Sequence, residues 1–213
     1  MAPKFLIDGP ADAKCSILLA HGAGAPMDSP AMTAATKHLA EAGFRVVRFE
    51  FGYMASRRTG GRKPPPRAET LRPEYVAAVD ALEARGPLVI GGKSMGGRVA
   101  SMVADELHAA GKIAGLLCLG YPFHPPDKPD QLRTKHLVGL KTPALICQGT
   151  RDAFGTPDEL SPLLPTLKAP ATLHPVPQGD HSFKLSRRDP AEQAAIYVAI
   201  QRTIVAWVRA QAP

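Results

Sequence analysis

Apolar residues fall in short, nearly unbroken runs along this chain, and between the runs they thin to one in every three or four positions. The runs "CSILLA" (15–20), "FRVVRFE" (44–50), "PLVIGG" (87–92), "AGLLCLG" (114–120) and "PALICQG" (143–149) read as strands, and "ATLHPV" (171–176) as a weaker one. Continuous rather than alternating apolar strands imply that both faces of the sheet are covered. The spaced stretches read as helices. Ser29-Pro30 opens the first, Met32, Ala35 and Leu39 share a face, and Gly43 stops it. A second spans about 71–85, with Val76, Val79 and Leu82 inward and Gly86 at its end. The third starts at Gly96-Gly97, carries Val99, Val103 and Leu107 on one face, and closes at Gly111. The last opens at Asp189-Pro190, with Glu192 completing an Asp capping box and Ile196, Ile200, Thr203 and Trp207 as its buried face. Residues 51–69, containing "RRTGGRKPPPR", read as a long loop, because a proline run favours extended backbone and forbids helix. Alternating strands and helices predict a three-layer α/β fold: a mostly parallel sheet of about six or seven strands with helices on both faces. No linker divides the 213 residues, so 1–213 is read as a single domain.

The stretch "GGKSMGG" (91–97) joins a predicted strand to a predicted helix. A phosphate loop would need a glycine at position 87, where Pro87 stands, and its intervening residues are the end of a strand, with amides committed to the sheet. The motif Gly92-Lys93-Ser94-Met95-Gly96 fits a nucleophile elbow, G-x-S-x-G. Small residues two before and two after the serine are needed because the strand-to-helix turn is sharp and the serine backbone strained. An inert glycine-rich turn is the bland alternative. A serine becomes a nucleophile only beside a histidine base, itself oriented by a carboxylate. "QGTRDAFG" offers Asp152 and "VPQGDHSF" offers His181, each a few residues past the end of a strand, where open α/β sheets place their sites. Asp180 adjoins His181 and reads as a loop-shaping residue; Asp158 lies near a helix start. His38, His108, His124, His136 and His174 read as ordinary surface or core. Two backbone N–H groups would hold an oxyanion: that of Met95, and one from "HGAGAPMDSP", with Ala23 the first choice and Gly24 the second. His21 reads as a structural hydrogen-bonder of that loop.

Charge adds one feature. Formal net charge is +7, and Arg57, Arg58, Arg62, Lys63, Arg67 and Arg72 crowd one stretch. Arg57 and Arg58, with Tyr53 and Phe154, are candidate substrate contacts, and guanidinium groups there would favour an anionic acyl compound. A solvated loop is the plain alternative. No recognised nucleic-acid-binding motif accompanies the charge. Cys15, Cys118 and Cys147 lie inside apolar runs and read as small buried residues in a reducing compartment. "MAPKFLIDGP" lacks a secretory apolar region, and no apolar run approaches the roughly 18 residues of a membrane span. A cytoplasmic protein without metal or organic cofactor is expected.

Taken together, "LLAHGAGAPMDSP", "FGYMASRR…PPPR", "GGKSMGGR", "CQGTRDAFG" and "GDHSF" resemble, in order, a compact dienelactone-hydrolase-like branch of the α/β-hydrolase superfamily. The resemblance spans nearly the whole chain. It implies the α/β-hydrolase fold and a Ser94, Asp152, His181 triad. Dienelactone hydrolases themselves carry a cysteine nucleophile, and Ser94 stands there here, so lactone chemistry does not carry over. The superfamily often inserts a cap between the strands that here end near Gly120 and resume near Pro143. About two dozen proline-containing residues are too few for a full cap domain. The expected activity is hydrolysis of a small ester, thioester or related acyl compound through an acyl-enzyme on Ser94. A binding or scaffold protein on the same fold is the alternative, motivated by the basic loop and by distant animal relatives of this branch.

Overall fold

A computed structural model describes residues 3–186 and 189–211. In chain order the elements are β1 (Phe5–Asp8), β2 (Ser16–Ala20), α1 (Pro30–Glu41), β3 (Arg45–Phe49), α2 (Gly52–Arg57), α3 (Arg72–Ala81), β4 (Leu88–Lys93), α4 (Met95–Ala109), β5 (Gly115–Leu119), β6 (Ala144–Gly149), α5 (Pro157–Leu160), β7 (Ala171–Val176) and α6 (Pro190–Gln211). The strands form one seven-stranded sheet in the order β1-β3-β2-β4-β5-β6-β7. All neighbours are parallel except β1, which pairs antiparallel with β3. From β2 the chain first moves one way to β3, then returns to the other side of β2 as β4. The carboxyl ends of β2 and β4 therefore flank the point where strand order reverses, the usual place for a ligand site in an open sheet.

Both faces of the sheet are buried, as the unbroken apolar strands require. Leu18, Val47 and Ile90 point to one face and pack with Tyr75 and Val79 of α3 and Val99 and Val103 of α4. Ile17, Leu19, Val46 and Val89 point to the other, against Met32 and Leu39 of α1 and Ile200, Ile204 and Val208 of α6. The one-residue alternation between these sets is the pleat of the strands. Thr36 of α1 is buried with Met32 and Leu39, while Ala35 is only half-buried.

Several elements depart from the sequence reading. The edge strand β1 lies outside the predicted set; its four residues are mostly half-exposed, so it carries no continuous apolar run. The segment 51–69 is not all loop. The prolines begin at Pro64, leaving Gly52–Arg57 free to coil into α2, which buries Tyr53 and Met54. The Gly52 N–H at its start donates to Glu74 Oε2 at 2.6 Å, so this short helix is secured by a tertiary partner. Helix α3 stops at Ala81, short of the expected end near 85, and Glu83 takes a left-handed backbone (φ 47°). The buried stripe of α6 is Ile200, Ile204 and Val208, whereas Thr203 and Trp207 lie one position aside and are half-buried.

Between β5 and β6 the chain forms neither helix nor strand. It is pinned to α4 instead. Asp105 Oδ1 accepts the Lys141 and Thr142 N–H groups at 2.9 Å each. His136 Nε2 lies 2.8 Å from Ser101 Oγ and 3.1 Å from Tyr121 Oη. Among the described residues no helix is long and apolar enough to cross a membrane.

Burial, with a smaller contribution from Arg98, holds the His136 ring down from its ordinary 6.5 to about 4. The unfolded chain takes this proton as pH drops through 6.5, and the folded chain not until about 4. In that window the unfolded state binds more protons, so stability falls as pH falls. The urea midpoint of the wild type should drop across the window, and that of His136→Asn should drop less steeply. Equal slopes would contradict a half-buried neutral His136.

Candidate active site

The end of β4 and the start of α4 meet at Ser94, whose backbone adopts φ 51° and ψ −117°. Such a conformation at a non-glycine residue costs about 1–3 kcal/mol and persists only where the surroundings enforce it. Here the enforcement is visible. The Ser94 N–H donates to Leu119 O at 3.0 Å, and Ser94 O accepts the Arg98 N–H at 3.0 Å. A Cβ on Gly92 or on Gly96 would lie 2.4 Å from Ala20 O in either case. Only glycine lets the turn close against the end of β2. The phosphate-loop reading fails on a separate ground: residues 88–93 are paired strand.

His181, in the loop after β7, lies with Nε2 2.8 Å from Ser94 Oγ and Nδ1 2.8 Å from Asp152 Oδ2. Asp152 follows β6 and is buried. Its Oδ1 accepts the Phe154 N–H at 2.8 Å, and the Phe154 ring lies over His181 with centroids 4.3 Å apart. Asp180 does not approach the ring. It is exposed, and its Oδ1 accepts the N–H groups of Ser182 and Lys184, which turns the loop that presents His181.

The loop after β2 runs beside Ser94, since a Cβ on Gly22 would lie 3.7 Å from Ser94 Cβ. It is braced from several sides. His21 is fully buried; Nδ1 is 2.6 Å from Gly22 O, and Nε2 accepts the Phe51 N–H at 3.2 Å. The ring is therefore the neutral Nδ1–H tautomer, and burial holds its pKa below the ordinary value. Buried Arg48 donates to Met27 O at 2.9 Å and to Asp8 Oδ2 at 2.7 Å. Met95, which follows Ser94, opens α4, so its N–H has no partner within the helix.

A family model for the alpha/beta hydrolase domain matches residues 13–209. The chain belongs to that family. A Pongo abelii protein named as a candidate protein-lysine deacylase, ABHD14B, is 31% identical over 148 residues, covering 69% of this chain and 66% of that protein. The aligned part thus spans slightly less than two thirds of that relative. Among solved structures, XC6422 of Xanthomonas campestris, described as a serine hydrolase without a lid, superimposes with a TM-score of 0.68 at 22% identity, over 95% of this chain and 88% of that one. Dienelactone hydrolase of Anabaena variabilis gives 0.68 at 20% identity over 95% and 97%. The monoacylglycerol lipase of Paleococcus ferrophilus gives 0.70 at 17% over the full length of both. These likenesses establish the alpha/beta hydrolase fold without a long cap.

Of the remaining candidate residues, Tyr53, Arg57 and Arg58 are placed differently from the sequence reading. Tyr53 is buried, and its hydroxyl donates to Ala23 O at 3.0 Å. It supports the loop after β2 and does not face an open site. Arg58 was expected to meet substrate. Its guanidinium instead binds both oxygens of Glu50 at 2.7 Å and Asp28 Oδ1 at 2.8 Å. Burial alone would raise the Glu50 carboxyl, but Arg58 and the Met27 N–H hold it below its ordinary value. Arg57 donates twice to Lys63 O, at 3.3 and 3.0 Å, and its guanidinium stands 5.4 Å over the Tyr53 ring. Arg58 is thus committed to two carboxylates, whereas Arg57 is turned back onto the Lys63 carbonyl of its own loop. Gly24 has open space where its Cβ would be.

Two residues of this region escaped the sequence reading. Gln148, fully buried, donates from Nε2 to Asp152 Oδ2 at 2.8 Å and Gly155 O at 2.7 Å, and accepts the Tyr121 N–H at 2.8 Å. A lone amide at the end of an apolar strand was the available signal. Lys93, the variable position of the elbow motif, is the other and is taken up below.

Removing the Gln148 amide would strand several buried polar groups at once. Gln148→Leu should lower stability by about 2–5 kcal/mol. Denaturant unfolding monitored by tryptophan fluorescence would measure it, and a loss below about 1 kcal/mol would mean that Asp152 is held by other means.

Proposed function

We propose that this hydrolase cleaves a small ester, thioester or related acyl compound through an acyl-enzyme on Ser94. The observation carrying the proposal is the unbroken hydrogen-bonded line Asp152–His181–Ser94, with both links at 2.8 Å, ending on a serine held at φ 51°. Ser94 Oγ adds to the substrate carbonyl carbon while His181 Nε2 takes its proton. Asp152 keeps the other ring proton on Nδ1 and stabilises the imidazolium. The N–H groups of Met95 and of Ala23 or Gly24 receive the developing oxyanion, an interaction worth a few kcal/mol in such sites. The C–O or C–S bond to the leaving group then breaks, and His181 returns the proton to the departing atom. Water repeats the sequence on the acyl-serine, with His181 as base, and frees the acid.

Support for a small or surface-presented substrate comes from the absence of helix or strand between β5 and β6, where a cap domain would be inserted. The deacylase name borne by the Pongo abelii relative makes an acyl-lysine peptide a sensible member of any substrate panel. Charge selection by Arg57 and Arg58 is no part of this reading. Arg62, Lys63 and Arg67 are exposed, where salt screens them.

Ser94→Ala should keep the fold and lose hydrolysis of short p-nitrophenyl esters by about a thousandfold or more. Asp152→Asn should also fall steeply, and Asp180→Asn should stay within about fivefold of wild type. A wild type that turns over no member of the panel would favour the scaffold reading. Equal rates in Ser94→Ala would remove the serine mechanism.

A further inference from the structure

Lys93 precedes Ser94 and closes β4. Its side chain does not extend to solvent. The Nζ donates to His181 O, the carbonyl of the residue whose ring reaches Ser94. The same Nζ lies 5.6 Å from the centre of the Phe183 ring, close enough for a cation–π contact. Gly120, at φ 61°, leaves the space that both partners use: a Cβ there would lie 2.7 Å from Lys93 Nζ and 2.7 Å from His181 O. The elbow motif leaves this position chemically open, so nothing in the triad requires a lysine.

These contacts close a ring. Lys93 and Ser94 are joined by a peptide bond, Ser94 Oγ meets His181 Nε2, and His181 O meets Lys93 Nζ. One link between two loops fixes a distance, but two links from adjacent residues fix an orientation as well. We propose that Lys93 is a positioning residue, whose ammonium latches the His181 loop to the elbow and holds the base in register with the nucleophile. The inference rests on the serine-hydrolase reading of the same site. A part in proton transfer is not implied, because Nζ is directed at a carbonyl that stays a carbonyl throughout.

The latch is charge-assisted, and its charge depends on pH. Burial brings the Lys93 ammonium down to about 8, while Asp152 and Asp180 pull it back up. The titratable groups facing it are these two carboxylates and His181, and the Phe183 ring covers one side. Below about 8 the ammonium is present and the latch at full strength; above it a neutral amine makes a weaker bond. Activity should therefore show an alkaline decline that the triad itself does not produce. Lysine is replaceable here by another cation but not by an apolar chain, since arginine stays charged throughout the accessible range.

The test compares wild type, Lys93→Met and Lys93→Arg with p-nitrophenyl acetate from about pH 6 to about 10, alongside thermal unfolding and labelling of Ser94 by a fluorophosphonate. Lys93→Met should lose about 10- to 100-fold in kcat, with KM changed less than about threefold, and should lose the alkaline limb. Lys93→Arg should recover part of kcat and carry no limb near pH 8. Wild-type kcat in Lys93→Met overturns the latch, and so does a reduced kcat with the limb retained. Should Lys93→Met fail to fold, the wild-type and Lys93→Arg profiles still decide: no wild-type limb, or the same limb in both, overturns it. Absent labelling of the wild type would instead sink the hydrolase reading, whereas normal labelling of wild type and Lys93→Met at equal rates sinks the latch alone.

Discussion

The turn from β4 into α4 is the constraint on which the rest depends. A serine can project from a strand end toward a histidine on another loop only if its backbone bends the unfavourable way, and φ 51° at Ser94 is that bend. The surroundings absorb its cost through three neighbours: Leu119 O, the first turn of α4, and the close wall of Ala20 and His21 backbone. Each belongs to a different element. The parallel pairing of β2, β4 and β5 thus does more than bury apolar side chains. It sets the carboxyl ends of three strands at a common level, so that residues 20–22, 94 and 119–121 abut.

Around that turn the supporting polar groups fall into two sets with separate tasks. Behind the carboxylate, Gln148 satisfies Asp152, Tyr121 and Gly155 in a space closed to water, so the acid is held at a fixed angle. Beside Ser94, Tyr53, His21, Arg48 and the Glu50–Arg58–Asp28 group hold the loop after β2. Arginines that look from sequence like a ligand-binding stretch are spent partly on this scaffolding. Glu50 is the reason: a nearly buried carboxylate needs a guanidinium close by, and Arg58 is within reach because α2 coils instead of extending.

What the sequence made legible was whatever a local pattern can carry. Apolar runs gave six of the strands, and Gly92 and Gly96 around Ser94 announced the elbow because the turn tolerates little else. Asp152 and His181 were readable from their places just past strand ends. The four-residue β1 was not, since Phe5–Asp8 gains its strand character only by pairing with β3. Helix α2 was hidden by the prolines that follow it. The stripe of α6 was misread by one position because Thr203 and Trp207 fit a helical period nearly as well as Ile204 and Val208. The uses of Lys93, Gln148 and Arg58 were out of reach, because each is defined by partners between 4 and 88 residues away that only the fold brings near.

In the proposed reaction the substrate's acyl group passes through Ser94 Oγ. Acid-quenched mixtures of the protein with p-nitrophenyl acetate, taken early and analysed by intact mass and peptide mapping, test it most directly. The expected result is a mass increase of one acetyl group on the peptide bearing Ser94, appearing with a burst of p-nitrophenol and absent in Ser94→Ala. Steady turnover with no adduct at any time, together with full activity in Ser94→Ala, would contradict it.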